Sequence, residues 1–151
     1  MMLGGEFTVT IDDKGRLLIP ARLKDAVPED LLIITRGVER CLWLLIEQTW
    51  QELSERIMGN PWSMFDQRSR LLQRRIIAPA QQCPIKSGRI TIPGSLREAA
   101  GLELKSEVVL LGIQNRLELW NAEEYQNYIQ ESEGEFTEAS EAIGKDLRSL
   151  L

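Results

Sequence analysis

Asp12-Asp13-Lys14-Gly15-Arg16-Leu17-Leu18-Ile19-Pro20 is a stretch whose pattern occurs twice in this chain. The second copy is Lys86-Ser87-Gly88-Arg89-Ile90-Thr91-Ile92-Pro93. Both copies share the pattern Gly-Arg-(Leu/Ile)-X-Ile-Pro. A repeat at a fixed spacing indicates that one supersecondary unit is used twice, and it constrains the fold more strongly than any single motif.

Each copy of the motif predicts a β-hairpin. Residues 6–11 alternate apolar and polar side chains, which is typical of a half-buried strand. Asp12–Gly15 then supplies turn residues, because Asp bonds to nearby backbone and Gly adopts a positive φ at low cost. Leu17-Leu18-Ile19 is a second short strand that Pro20 ends. The second copy, which begins at Pro84-Ile85, predicts the same arrangement, so each hairpin carries an arginine just past its tip.

The remaining elements repeat in the same order after each hairpin. We predict short helices at 21–26 and 95–100, strands at 31–34, 41–46, 108–112 and 117–120, and a longer amphipathic helix at 47–58. Ser63 is a candidate N-cap for a helix over 64–77, and Asn121 for the helix that follows it. The predicted fold is α+β, mainly β: a tandem-repeat barrel of interleaved hairpins with peripheral helices, which leaves no sheet edge exposed.

The predicted organisation has four parts. Residues 1–60 form repeat 1, residues 61–79 a connecting arginine-rich helix, residues 80–131 repeat 2, and residues 132–151 an acidic C-terminal helix or tail. Each repeat is small enough to be marginal alone, so we expect the two to pack together or to oligomerise.

Composition and charge indicate an ordinary soluble protein with a segregated charge. The net charge of −5 argues against purely electrostatic binding of nucleic acid. Residues 66–97, however, hold seven basic and one acidic side chain, whereas residues 125–151 hold six acidic and two basic ones. Cys41 and Cys83 have no metal or redox spacing and suit a reducing cytoplasm as buried thiols. We also expect no membrane segment.

Together, the opening residues 5–23, the second Gly-Arg-Ile-Thr-Ile-Pro copy and Leu119-Trp120 resemble the MraZ family of bacterial transcriptional regulators. The resemblance implies two AbrB-like swapped-hairpin half-barrels per chain and a ring-shaped homo-oligomer. It also implies a location at the nucleoid and binding to short G-rich direct repeats in the promoter of its own operon, within the division and cell-wall gene cluster. The family's Asp-x-x-x-Arg motif falls on Asp12 and Arg16. In the second copy the arginine is Arg89, and Ile85 stands where the aspartate would be.

The candidate DNA-binding residues are basic side chains of the two hairpins. Arginine can donate two parallel hydrogen bonds to guanine, so Arg16 is the main candidate for base recognition; a salt bridge to Asp12 is the alternative. The other candidates are Lys14, Arg22, Arg89 and Lys86, of which Lys14 and Arg22 suit phosphate contacts. Asp12, Gly15 and Gly88 are the expected turn-orienting residues.

Other conspicuous side chains have simpler interpretations. Four arginines between 68 and 75 are typical of a solvated helix face, and Trp43, Trp50 and Trp120 of a core or subunit interface. Whether Arg116 or the arginine-rich helix contacts DNA stays open.

We predict no catalytic site, metal site or cofactor. The chain has no histidine, which excludes a histidine base or metal ligand, and it has no glycine-rich phosphate loop. The turn explains Asp12 and Asp13. The competing hypothesis is a protein-interaction module of the antitoxin-like AbrB type, for which an acidic tail with apolar residues at helical spacing would suit docking. The expected partners are therefore double-stranded DNA and further copies of the chain.

Overall fold

The computed structural model describes residues 3–148 and 150 and contains eight strands and six α-helices among them. The strands are β1 Leu3–Ile11, β2 Arg16–Leu18, β3 Leu31–Arg36, β4 Leu42–Leu45, β5 Gln81–Lys86, β6 Arg89–Thr91, β7 Ser106–Gln114 and β8 Arg116–Asn121. The α-helices are α1 Ala21–Lys24, α2 Glu47–Met58, α3 Gln67–Leu72, α4 Gly94–Ala99, α5 Ala122–Glu131 and α6 Glu133–Leu147. Met1–Asn121 form one compact unit and Ala122–Leu151 another.

All eight strands belong to one antiparallel sheet in the order β1-β7-β8-β4-β3-β5-β6-β2. The two ends of this order, β1 and β2, are the arms of the first hairpin, which the bond from Asp12 N to Arg16 O closes at 2.8 Å. The sheet therefore forms a nearly closed barrel. The predicted fold class, a mainly β barrel with helices around it, is confirmed.

The two repeats are interleaved strand by strand. β1 pairs with β7 and β5 with β3, so the first strand of each repeat pairs with the third strand of the other. The equivalent strands of the two copies also meet, β2 against β6 and β4 against β8. Exchanging the repeats leaves this pattern unchanged, which is the swapped-hairpin arrangement. The division at residues 60, 79 and 131 stays a prediction; its first and last parts also include residues 1, 2, 149 and 151, which lie outside the described residues.

The core lies inside the barrel and draws equally on both repeats. Leu17 and Ile90, partners in the β2–β6 ladder, are both buried, as are Leu44 and Leu117 in the β4–β8 ladder. Burial of each such side chain contributes about 1.5–3 kcal/mol. Because both ladders join residues from the two repeats, the hydrophobic core that stabilises one repeat includes side chains of the other.

The connecting segment differs from its prediction. Pro61–Phe65 is a 3₁₀ turn, α3 begins only at Gln67, and Gln73–Ile77 is a single π-helical turn. The N-cap is Asp66, whose carboxylate accepts hydrogen bonds from Ser69 N and Ser69 Oγ, and not Ser63. Ser63 lies inside the preceding 3₁₀ turn, where its hydroxyl donates to the carbonyl of Met58.

The other predicted helices agree with the structure in position. α2 spans Glu47–Met58 as predicted and ends at Gly59, which has a φ of 60°. Trp120 is buried, whereas Trp43 and Trp50 are half-buried. Within the described part of the chain, no helix is both long enough and apolar enough to span a bilayer.

Candidate nucleic-acid interface

The Asp12 carboxylate organises the tip of the first hairpin. Its Oδ1 accepts hydrogen bonds from Lys14 N at 2.9 Å and from Arg16 N at 2.8 Å. Gly15 follows with a φ of 80°, a conformation that favours glycine. These bonds, led by the one from the Arg16 backbone, hold the pKa of Asp12 below its ordinary value. The carboxylate is therefore ionised at neutral pH and fixes the loop that precedes Arg16.

The same carboxylate orients the Arg16 side chain. Arg16 Nε donates to Asp12 Oδ2 at 2.9 Å, and the Arg16 side chain is 42% exposed. Among the described residues, the two terminal amino groups of Arg16 have no hydrogen-bond partner. The salt bridge and the base-recognition hypothesis are thus compatible, because Asp12 occupies only the Nε side of the guanidinium.

The second hairpin turns more tightly and needs no aspartate. Ser87 and Gly88, with φ values of 52° and 76°, form a two-residue turn between the paired residues Lys86 and Arg89. Positive φ at both central positions is the signature of a type I′ turn. Ile85, at the position of the missing aspartate, lies within β5, pairs with Ile90 and is buried. A carboxylate there would be placed in the core.

The β2–β6 ladder brings the two arginines onto one surface. Arg16 pairs with Thr91 and Leu18 with Arg89, while Leu17 and Ile90 point into the core. Since side chains alternate along a strand, Arg16, Leu18, Arg89 and Thr91 share the outer face, which we call the arginine ladder face. Arg16 and Arg89 are diagonal neighbours on it, with an expected Cα separation of about 7–8 Å.

A groove borders this face. Its volume is about 580 Å³, and its lining includes Arg16, Lys86, Arg89 and Thr91. The structure thus collects three of the five predicted DNA-binding residues around one concave surface. Lys14 is exposed at the tip of the first hairpin.

Arg22 is held elsewhere. Its guanidinium donates to Gly4 O at 3.0 Å and lies over the Phe7 ring, 5.2 Å from the centroid. Both contacts are to β1, so the structure gives Arg22 a role in anchoring α1 to the first strand. Its predicted contact with phosphate remains a prediction.

Arg97, a basic residue near the site, is not among the DNA-binding residues predicted from the sequence. A Cβ added at Gly15 would lie 3.1 Å from Arg97 Nε, so this side chain packs directly against the first hairpin tip. The Nε is buried and has no hydrogen-bond partner among the described atoms. The repeat itself contained the signal, because Leu96-Arg97 follows the second motif as Leu23-Lys24 follows the first.

The remaining arginines divide into structural and free groups. Arg116 donates to Glu118 at 2.8 Å and lies 5.7 Å from the centroid of the Trp43 ring. Arg70 and Arg75 donate to backbone carbonyls, among them Met64 O and Val38 O. Of the connecting segment's four arginines, these two stabilise the fold, and the other two, Arg68 and Arg74, are exposed.

The described residues contain no cluster of three or more His, Cys, Asp or Glu side chains that could hold a metal ion. Cys41 and Cys83 are buried, and burial raises the pKa of Cys41 to about 12 and that of Cys83 to about 11. Both thiols are therefore protonated at neutral pH, which makes them poor nucleophiles.

The fold and the site together define a class: a tandem swapped-hairpin barrel that presents neighbouring arginines from the adjacent strands β2 and β6. Comparison with known proteins is consistent with this class. The family model described as "MraZ protein, putative antitoxin-like" matches residues 2–75 and again residues 76–146, so the chain belongs to the MraZ family.

Relatives match along nearly the whole chain. Transcriptional regulator MraZ of Treponema denticola is 45% identical over 142 residues, which cover 93% of this chain and 96% of that protein. The protein of the same name from Treponema pallidum (strain Nichols) is 38% identical and covers 92% of each chain. That of Limosilactobacillus reuteri is 39% identical over 96% of this chain and 99% of its own length.

Proposed function

We propose that this protein is a sequence-specific DNA-binding transcriptional regulator that reads bases with the arginine ladder face. The observation that carries the proposal is the β2–β6 ladder, in which half-buried Arg16 and exposed Arg89 are diagonal neighbours on the outer face of the sheet. Relatives that match along nearly their whole length carry the name transcriptional regulator, which supports it.

The two arginines suit guanine in the major groove. A guanidinium donates two parallel hydrogen bonds to guanine O6 and N7, a contact that is worth about 1–3 kcal/mol of discrimination. Arg16 is already oriented through Nε by Asp12, so its two terminal amino groups lose little further freedom on binding. Arg89 has no such carboxylate among the described residues. Arg16 therefore contributes more to recognition than Arg89.

The lysines beside the arginines suit phosphate. Lys14 at the first tip and Lys86 beside the second turn are both exposed. Contacts of this kind position a protein on DNA without reading its sequence, and they weaken as salt rises. Arg22 would add a phosphate contact only with the part of its guanidinium that Gly4 and Phe7 leave free.

The proposed target is a set of short G-rich direct repeats in the promoter of the protein's own operon, within the division and cell-wall gene cluster. The proposed binding form is a ring of identical subunits at the nucleoid, in which each subunit meets one repeat. A single ladder face makes few base contacts, so linked subunits raise the effective affinity by acting together.

A second candidate function is an oligomerisation or protein-interaction module, which corresponds to the antitoxin-like part of the family description. The observation that favours it is the exposed pair of aromatic rings at Trp62 and Phe65. This function does not need the arginine ladder face, so the two candidates can be separated by mutation.

The test is a binding titration with the DNA upstream of the protein's own gene, at two salt concentrations and with unrelated competitor DNA. We expect Arg16→Ala to weaken specific binding about 5- to 150-fold and Arg89→Ala to weaken it less. Lys14→Ala should lower affinity for all sequences and reduce the salt slope by about 1. Arg56→Ala, which removes an exposed arginine of α2, is the charge-matched control. If the assembled wild-type protein shows no preference for its upstream DNA, the proposal fails.

A further inference from the structure

An apolar surface lies exposed on the connecting segment. Trp62 and Phe65 are 74% and 71% exposed, and their rings contact each other at a tilt of 38° with centroids 5.9 Å apart. Leu71 and Leu72 of α3 are also exposed. Monomeric proteins rarely expose several large apolar side chains together unless the surface binds something.

The backbone beneath these rings is held firmly in place. The Asn60 side chain caps the 3₁₀ turn by accepting from Trp62 N at 2.9 Å. Gln73 donates to Ser63 Oγ at 3.1 Å, and Arg70 donates to Met64 O at 3.1 Å. These bonds tie the turn to α3 and the π-helical turn. The exposed rings therefore belong to a preformed surface, which lowers the entropic cost of binding.

Two free positive charges flank this surface. Arg68 lies one helical turn before Leu71 and Leu72, and Arg74 follows them on the π-helical turn. Both are exposed and have no ion-pair or hydrogen-bond partner among the described residues. We call Trp62, Phe65, Arg68, Leu71, Leu72 and Arg74 the basic apolar face.

Helix α6 has the complementary chemistry. With 3.6 residues per turn, Phe136, Ile143 and Leu147 form one stripe, and all three are exposed. Glu135 and Asp146 lie along one edge of the stripe, whereas Glu138 and Glu141 lie on the opposite side of the helix. Over Glu133–Leu147 the helix carries five acidic side chains and one lysine.

We propose that α6 of one copy docks on the basic apolar face of a neighbouring copy. The apolar stripe would cover the aromatic rings and leucines, while Glu135 and Asp146 would pair with Arg68 and Arg74. The two surfaces differ, so the contact is heterologous, and a heterologous contact that closes on itself generates a ring. The inference rests on the ring assembly of the proposed function and names the contact that builds it.

The test uses two charge-reversed variants of the full chain. One carries Arg68→Glu and Arg74→Glu, and the other carries Glu135→Lys and Asp146→Lys. We expect each variant alone to lose the oligomer, because like charges face each other across the contact. The control carries Glu138→Lys and Glu141→Lys, which changes the net charge as much as the second variant does but on the far side of α6. We expect it to keep the wild-type mass in light scattering.

Mixing the two reversed variants identifies the occupant. The unchanged α6 of the first fits the unchanged face of the second, and the two reversed surfaces also fit each other, so the mixture should regain the oligomer mass. If the oligomer returns when all four substitutions are in one chain but not when the two variants are mixed, the contact lies within a chain and the proposal is overturned. Wild-type mass in both single variants would also overturn it. Arg16→Ala should keep the oligomer while losing DNA binding, so failure of the DNA proposal is distinguishable from failure of this one.

Discussion

Ile90→Ala should destabilise both repeats together, although Ile90 belongs to the second. Ile90 is fully buried and pairs with Leu17 on one side and with Ile85 on the other. The substitution removes three carbons, which corresponds to about 2.4 kcal/mol at about 0.8 kcal/mol per buried CH₂. The remaining cavity brings the expected loss of unfolding free energy to about 3 kcal/mol.

Urea unfolding followed separately in each repeat measures this coupling. Two single-tryptophan proteins keep either Trp43 of β4 or Trp120 of β8 and carry phenylalanine at the other tryptophan positions. With an m-value of about 2 kcal/mol/M, the loss moves the midpoint down by about 1.5 M. We expect the same shift at both tryptophans, at equal protein concentration. A shift of the Trp120 transition that leaves the Trp43 transition in place would show that the two repeats unfold independently.

Leu18→Ala is the matched control for this experiment. Leu18 lies on the same ladder, paired with Arg89, but it points outward and is 54% exposed. Its truncation should therefore cost about 0.5 kcal/mol or less, as surface substitutions usually do. A loss equal to that of Ile90→Ala would show that the ladder is not buried on the side that the structure indicates.

Two further predictions follow from the titrating groups. The pKa of Asp12, measured by NMR, should lie below 3.8 and remain below it in Arg16→Ala, because the Arg16 backbone N–H is the largest cause of the shift. The stability that the Asp12 carboxylate contributes is present above pH 3.8 and is lost as pH falls through the lowered pKa. An unshifted pKa of Asp12 would contradict the loop geometry. Cys41 and Cys83 should resist a thiol reagent at pH 8 in the native protein and react on denaturation, because burial raises both pKa values. Rapid labelling of the native protein would show that the two thiols are accessible. Because the unfolded thiols ionise first, the free energy of unfolding should also decline as pH rises above 9.0.

The pseudo-symmetry of the barrel does not make its two hairpins equivalent. The first has a loop that Asp12 organises, and the second has a two-residue turn set by Ser87 and Gly88. Among the residues that the structure describes, Arg16 is held by a carboxylate and Arg89 is not. Under the proposed function, Arg16 would fix the register on DNA and Arg89 would adapt to the neighbouring base.

The sequence by itself determined the local parts of this protein. Turn residues and period-2 alternation act within a few positions, so both hairpins, α2 and the arginine past each tip could be predicted directly. The repeat also indicated interleaved hairpins and, through its motifs, the family. The start of α3 could not be predicted in this way, because Ser63 and Asp66 are both good caps. In the structure Asp66 accepts from Ser69 N, whereas Ser63 lies inside a 3₁₀ turn.

Only the tertiary structure decided which distant residues meet. Strand register depends on pairing across the barrel and on burial of one face, and no local pattern specifies the partner. The pairing of β2 with β6 places Arg16 beside Arg89, and the packing of α4 places Arg97 against the first tip. Arg22, equally basic in sequence, is instead bound to Gly4 and Phe7. An arginine's role in this molecule therefore depends on the acceptors that folding brings within its reach.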